Sequence, residues 1–244
     1  MKSVLVTGCD GGIGARICEA LGAAGWRVIG VDKEPGLSTE PCRITADIGA
    51  FAAEPSGLAA FAENVRAHTD GAPLGAIVNN AAVQRLAPLE ALAAEAIIET
   101  MNVNLVAPFL LIKAFLPELQ QSKGVVLNIG SVHAQATKPE FSAYAASKAG
   151  LHGLTRALAV DLGPEVRVNT LAPAATATPM LLAGFEGRKE AFKALKDVHP
   201  LQRIATPEEI AKIAGFLLSE DAAFVSGETI YADGGVLSRL YDPA

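Results

Sequence analysis

Val4-Leu-Val-Thr-Gly-Cys-Asp-Gly-Gly-Ile-Gly14 decides the fold: a short apolar run breaks into glycines and opens at once on the Ala- and Leu-bearing segment Ile13–Ala24. Strand, tight turn and helix in that order are the opening of a crossover unit, whose next strand lies parallel to the first. Glycines permit the turn and let backbone N–H groups approach an anion, which the helix N-terminus then stabilises. The spacing Gly8-x-x-x-Gly12-x-Gly14 is not the dinucleotide fingerprint G-x-G-x-x-G, and a glycine-rich turn can equally be a structural corner. In its strand–turn–helix setting the loop formed by Gly8, Asp10, Gly11, Gly12, Ile13 and Gly14 is read as a nucleotide site.

Outward from this loop, the same alternation continues to the end of the chain. Apolar runs at Arg27–Val31, Ala76–Val78, Val125–Ile129, Arg167–Leu171 and Thr229–Tyr231 are interleaved with helical patterns at Leu58–His68, Ala93–Gln121, Ala143–Leu162 and Pro207–Ser219. Continuous apolar strands separated by helices predict an α/β fold, a doubly wound parallel sheet flanked by helices on both faces. No linker, charge run or repeat divides residues 1–244, so a single domain is expected. Ligands of such sheets bind beyond the carboxyl ends of the strands, which directs attention to the residues just after each strand.

The net charge of −6, with Lys and Arg dispersed, argues against a nucleic-acid partner. Cys9, Cys18 and Cys42 form neither a CxxC pair nor an even set, which suits reduced thiols, although Cys9 lies in the glycine loop where its thiol is open to modification. His68, His133, His152 and His199 lack the spacing of metal ligands, and no metal is expected. The first strand runs straight into the loop without a leader, and the longest uncharged window, Val168 to Phe185, contains two prolines. The expectation is a soluble, cytoplasmic protein without a membrane span.

Asp32 closes the second strand, where a carboxylate accepts hydrogen bonds from ribose hydroxyls and repels a 2′-phosphate. This selects NAD over NADP; no cation stands at Cys9, Asp10 or Gly11, and Lys33 is the one nearby charge that softens the preference. As a plain alternative, Asp32 is a turn residue before Glu34-Pro-Gly36. Tyr144 and Lys148, four apart in Ser142-Ala-Tyr-Ala-Ala-Ser-Lys-Ala-Gly150, share one helix face. A tyrosine hydroxyl titrates near pH ~10, and a neighbouring ammonium lowers that value toward use as a proton carrier. The other reading is a packed tyrosine beside a surface lysine.

Glycine loop, Asp32 and the Tyr144/Lys148 pair, in this order, resemble the short-chain dehydrogenase/reductase family over nearly the whole chain. Further matches follow the same order. Asn79-Asn-Ala-Ala82 resembles the family's Asn-Asn-Ala-Gly element, which places Asn80, Ala81 and Ala82 against the cofactor. Asp47 and Ile48 resemble the pair that meets the adenine. Asn104 occupies the place of the family's helix asparagine, and Ser131 that of its catalytic serine. Pro173 to Met180 resembles the Pro-Gly-x-x-x-Thr-Pro segment, bringing Pro173, Ala174, Thr176 and Thr178 to the cofactor, with Val168 on the strand that leads there. The resemblance implies a Rossmann-type fold and hydride exchange between NAD(H) and a secondary alcohol or ketone. In that scheme Tyr144 is the acid/base, Lys148 depresses its pKa and holds the nicotinamide ribose, Ser131 binds the substrate oxygen, and Asn104 positions a relay water. Ala82 and Ala174 depart from the family by adding methyls where glycine is usual; the cost is small if φ is negative there.

Gln84 and His133, on loops after two strands, resemble the carboxylate-binding residues of D-3-hydroxybutyrate dehydrogenases, with Phe141 where those enzymes carry a lysine and Lys138 as its stand-in. That favours a small hydroxy acid such as 3-hydroxybutyrate. Ser131-Val-His133 also occurs in sugar dehydrogenases, so a sugar or polyol is the alternative. A 3-oxoacyl thioester reductase, which would want NADP, and a redox-sensing regulator without catalysis stand further off. Residues 180–200 are expected to form a flap, whose Arg188, Lys189, Lys193 and Lys196 either steer an anion or form a solvated face. Apolar residues on several faces of Ala93–Gln121 and Ala143–Leu162 predict a homodimer or homotetramer, as the resemblance also implies.

Overall fold

Along β1 (Ser3–Thr7), Val4 and Val6 enter one hydrophobic core and Leu5 the other, as the two-residue period of a strand requires. The computed structural model describes residues 2–36 and 42–240. After β1 come α1 (Gly12–Ala23), β2 (Arg27–Asp32), β3 (Arg43–Thr45), α2 (Pro55–Ala67), β4 (Leu74–Asn79), α3 (Ala94–Met101), α4 (Ala107–Ala114), α5 (Leu116–Ser122) and β5 (Val125–Ile129). The remainder is α6 (Ser142–Leu162), β6 (Arg167–Pro173), α7 (Pro179–Ala183), α8 (Lys189–Asp197), α9 (Pro207–Leu218) and β7 (Thr229–Ala232).

The seven strands lie in the order β3-β2-β1-β4-β5-β6-β7, and every pair is parallel. Ile17 and Leu21 of α1 with Ile210, Ala214 and Leu217 of α9 cover one face. Phe61 and Val65 of α2, Leu111 and Ile112 of α4, Phe115 and Leu119 cover the other. Each fully buried side chain of this size contributes about 1.5–3 kcal/mol. The chain winds outward from β1 to β3, then returns to β1's other side for β4, so the crevice between β1 and β4 is the natural ligand site.

Two elements differ from the sequence expectation. The expected continuous helix Ala93–Gln121 is broken: Asn102–Val106 is a π-turn and α5 restarts at Leu116. Pro108 has no N–H for the Asn104 carbonyl, and Pro117 ends a second ladder. The stretch Ala94–Ala114 has the length and mean hydropathy (1.4) of a membrane span, with 39% of that window buried; Ala107, Leu111 and Ile112 of its second half pack into the core. The short strand β3 was not expected at all, because its three residues offer one buried apolar side chain, Ile44.

Candidate active site

A cleft of about 990 Å³ opens at the β1/β4 crevice. Its floor is the glycine loop. Gly8 has φ +67°, and its N–H donates to the Val31 carbonyl at 2.7 Å. A Cβ on Gly14 would lie 2.0 Å from the Gly8 carbonyl oxygen, so this loop closes only with glycine there. Asn80 ties the loop from β4: its Nδ2 donates to the carbonyls of Thr7 and Gly8 at 3.0 Å each, and the N–H groups of Asn80 and Ala81 donate to Thr7 Oγ1. The N-cap of α1, Gly11, has no side chain to satisfy the first N–H groups, which leaves them to an anion. The cradle fits a pyrophosphate.

At the ribose end, Asp32 Oδ2 accepts from Asp10 N at 3.1 Å and Oδ1 from Lys33 N at 2.8 Å, which fixes the carboxylate at the cleft wall. Asp47 accepts from Gly49 N at 3.0 Å and pairs with Lys33 Nζ at 3.0 Å. Lys33, expected as the one cation here, is joined by a second. Arg43 of β3 pairs with Asp10 at 2.5 Å, donates to Thr45 Oγ1 at 2.9 Å and also bonds the Glu34 carbonyl. Cys9, Asp10 and Asp32 place ligand atoms within 4.8 Å of one another, but the guanidinium already balances charge at Asp10. Burial first, then Asp10 and Asp32, pushes the Cys9 thiol up to about 12, so it is a poor nucleophile at neutral pH.

At the nicotinamide end, Tyr144 lines the cleft. Burial raises its phenol above the ordinary value, and a hydrogen bond with Ser131 works in the opposite direction. Lys148 stands 2% exposed beneath, its Nζ donating to the Ile129 carbonyl at 2.7 Å and lying 5.8 Å from the Tyr144 ring centre. Burial lowers its ammonium to about 8. Burial is the largest influence on both groups, raising Tyr144 and lowering Lys148, each toward its neutral form. Asn104 is buried with its side chain fully used: Oδ1 accepts from Val83 N at 2.9 Å, and Nδ2 donates to the Val83 carbonyl and Ser147 Oγ at 3.0 Å each. It braces the loop after β4 against α6.

Against this geometry, the family model described as enoyl-(acyl carrier protein) reductase matches residues 8–237. The chain belongs to the short-chain dehydrogenase/reductase family. Galactitol 2-dehydrogenase (L-tagatose-forming) of Cereibacter sphaeroides is 37% identical over 94% of this chain and 92% of that protein. Acetoacetyl-CoA reductase of an Acinetobacter strain is 34% identical over 96% of this chain and 97% of its own length. The ligand-free structure of Thermoplasma acidophilum aldohexose dehydrogenase superposes with a TM-score of 0.92 at 28% identity, covering 100% of this chain and 96% of that one. The chain is thus an oxidoreductase acting on CH–OH groups with a nicotinamide dinucleotide.

In this short-chain dehydrogenase/reductase the cleft collects Gly8, Asp10, Gly11, Gly12, Ile13, Asp32, Asp47, Ile48, Asn80, Ala81, Ala82, Tyr144 and Thr178. Gly14 and Lys148 stand behind its wall. Among the described residues, Pro173, Ala174 and Thr176 do not line it. Pro173 is buried at the end of β6, Ala174 borders a separate cavity of about 240 Å³, and Thr176 Oγ1 turns back to the Ala174 carbonyl. Thr178 caps α7 by accepting from Leu181 N at 3.2 Å. Positive φ among described non-glycine residues is confined to Asp70, Lys123, Glu140 and Gln202, so the methyls of Ala82 and Ala174 add no backbone strain.

Neither Gln84 nor His133 lines the cleft. His133 stacks on Phe141 at 4.3 Å and 7°, bonds Thr137 Oγ1 through Nδ1 at 2.9 Å, and meets Tyr144 edge-on at 5.8 Å. Lys138 Nζ stands 4.7 Å from the Phe141 ring centre. Burial, helped by Lys138, lowers His133 to about 4. In the 180–200 segment Arg188 lies over Phe185, Lys196 over Phe192, and Lys193 pairs with Asp197. Three of its four basic side chains are thus engaged within the segment itself.

Proposed function

We propose that the protein oxidises a secondary alcohol of a small, uncharged polyol or sugar with NAD. One observation carries the substrate class: beyond the backbone N–H groups of the glycine loop, the cleft offers a carboxylate almost nothing. Its lining holds Asp10, Asp32, Asp47, Glu95 and Glu99 against a single cation, Lys33, which Asp47 already engages. Nearby Arg85 is held bidentate by Glu99 at 2.7 Å on both arms, and His133 stays neutral. Neutral hydrogen-bonding groups suit hydroxyls. The galactitol dehydrogenase likeness supports the same class. A hydroxy acid such as 3-hydroxybutyrate is the second reading, favoured by the contact of His133 with Tyr144 and by Lys138 over the Phe141 ring. A 3-oxoacyl thioester, suggested by the acetoacetyl-CoA reductase likeness, fits less well with an acidic cleft and Asp32.

NAD is the reading for the cofactor because the Asp32 carboxylate, fixed by two backbone N–H groups, lines the cleft. A nicotinamide dinucleotide held by the glycine loop and Asp32 would supply the acceptor for the hydride of the carbinol carbon. Tyr144 takes the hydroxyl proton, while Ser131 donates to the substrate oxygen as charge develops there. Lys148 keeps two N–H donors after bonding Ile129, enough to hold a ribose hydroxyl and favour the phenolate. Since the Asn104 side chain is spent on Val83 and Ser147, the relay water falls to its carbonyl, which has no donor at Pro108.

Purified protein with NAD is expected to turn over galactitol- or threitol-like polyols and to leave 3-hydroxybutyrate untouched; turnover confined to the hydroxy acid would reverse the assignment. With His133 neutral well above its lowered value of about 4, KM for the polyol should stay flat between pH ~5.5 and ~8. An imidazolium holding a carboxylate would instead tighten KM as pH falls.

Ile98, Phe109 and Val160 are exposed on α3, α4 and α6. A second copy covers them in the proposed homodimer or homotetramer. Light scattering should report a multiple of the 25.2 kDa chain mass, and a one-chain mass overturns the assembly.

A further inference from the structure

Asp32 is not the only charged group that a ribose 2′ substituent would meet. Directly behind Asp10, whose N–H holds Asp32, the Arg43 guanidinium places Nε at 3.0 Å and Nη2 at 2.5 Å from one oxygen of the Asp10 carboxylate. Its Nη1 rests on Thr45 Oγ1 at 2.9 Å, where β3 runs beside the end of β2. The segment after β2 closes over the pair: a Cβ on Gly36 would stand 1.8 Å from Asp10 Oδ2 and 2.9 Å from Arg43 Nε. The ion pair therefore has a fixed place, one residue's width from the carboxylate that meets the ribose.

We propose that Arg43 is a latent cation for the adenosine 2′ position, masked by Asp10, so that the Asp10–Arg43 pair acts with Asp32 to set the choice between NAD and NADP. With Asp10 ionised, two carboxylates face the 2′ position and the guanidinium is spent on one of them. Without the Asp10 charge, the guanidinium keeps its Thr45 and Glu34 bonds, so it stays in place. Its Nε and Nη2 donors then lose their carboxylate partner at Asp10, a residue that lines the cleft, and a phosphate is the ligand that such a fork binds best. Carboxylate at position 10 thus penalises a 2′-phosphate twice, by its own charge and by occupying Arg43. Loss of that charge relieves both penalties at once, and only the second depends on Arg43.

This inference rests on the NAD reading above, and its test separates the two. NADH and NADPH dissociation constants are measured by calorimetry for the wild type, Asp10→Asn, Arg43→Gln and the double variant. Asp10→Asn should improve NADPH relative to NADH at least about tenfold, and Arg43→Gln on top of it should remove most of that gain. An unchanged ratio in Asp10→Asn overturns the proposal. So does a double variant that keeps the full gain, since the effect then belongs to the Asp10 charge alone. Should Asp10→Asn lose NADH binding through misfolding, Asp10→Ala with and without Arg43→Gln reads the same cation; equal NADPH affinity in the two is the overturning result. A wild type that binds NADPH as tightly as NADH sinks the NAD reading and this inference together, whereas an NADH-preferring wild type with a flat cycle sinks this inference alone.

Discussion

Tyr144→Phe is expected to lower turnover by at least about 10³-fold while NADH binds as before. The substitution removes one oxygen and keeps the ring, so the edge-on contacts with His133 at 5.8 Å and Phe141 at 6.1 Å survive. What disappears is the phenol that lines the cleft beside the Ser131 hydroxyl. No neighbour can replace it as a proton carrier. Lys148 is turned onto the Ile129 carbonyl, and the Ser131 hydroxyl, already accepting from His133 N at 3.2 Å, is far too weak an acid. Steady-state rates with the preferred alcohol and a fluorescence titration with NADH, on the same preparation, separate chemistry from binding. Retained activity with intact binding would remove Tyr144 from the mechanism.

How far the sequence carried this reading depends on how local each signal was. The loop from Gly8 to Gly14 and Asp32 at the end of β2 could be placed because each sits directly after a strand. Tyr144 and Lys148 could be paired because one helix carries both. Arg43 could not: it belongs to a three-residue strand, and only the sheet order brings it beside Asp10, 33 positions away. Nor could the roles of Asn104, Ser131, Tyr144 and Lys148 be foreseen in full. Asn104 reads as one of two asparagines in an apolar stretch, and its partners Val83 and Ser147 come from two other segments. The mutual effect of Tyr144 and Lys148 was expected from charge alone, yet both are buried, and desolvation moves each toward its neutral form. Prolines were visible at 108 and 117, but an apolar run that continues past them hides the breaks they cause.

Gly14→Ala and Gly22→Ala, eight residues apart on α1, should move the protein in opposite directions. At Gly14 the new methyl would stand 2.0 Å from the Gly8 carbonyl oxygen and 2.6 Å from Asn80 Nδ2. Neither neighbour can yield cheaply. The Gly8 carbonyl belongs to a loop pinned by Gly8 N on Val31, and Asn80 Nδ2 is the donor that closes the loop onto β4. Making room means parting the glycine loop from α1, which is where a pyrophosphate would be held. We expect NADH affinity to fall by at least about 100-fold and stability by about 1–3 kcal/mol, which lowers the melting midpoint by roughly 2–12 °C. At Gly22 no described atom lies within 4 Å of the added methyl. Replacing a helical glycine with alanine there should raise stability by about 0.5–1 kcal/mol, with NADH affinity unchanged. Differential scanning calorimetry and NADH titration of both variants decide the matter. Equal shifts of one sign would mean that the close approach at Gly8 is relieved by movement elsewhere, and that the loop does not require glycine at position 14.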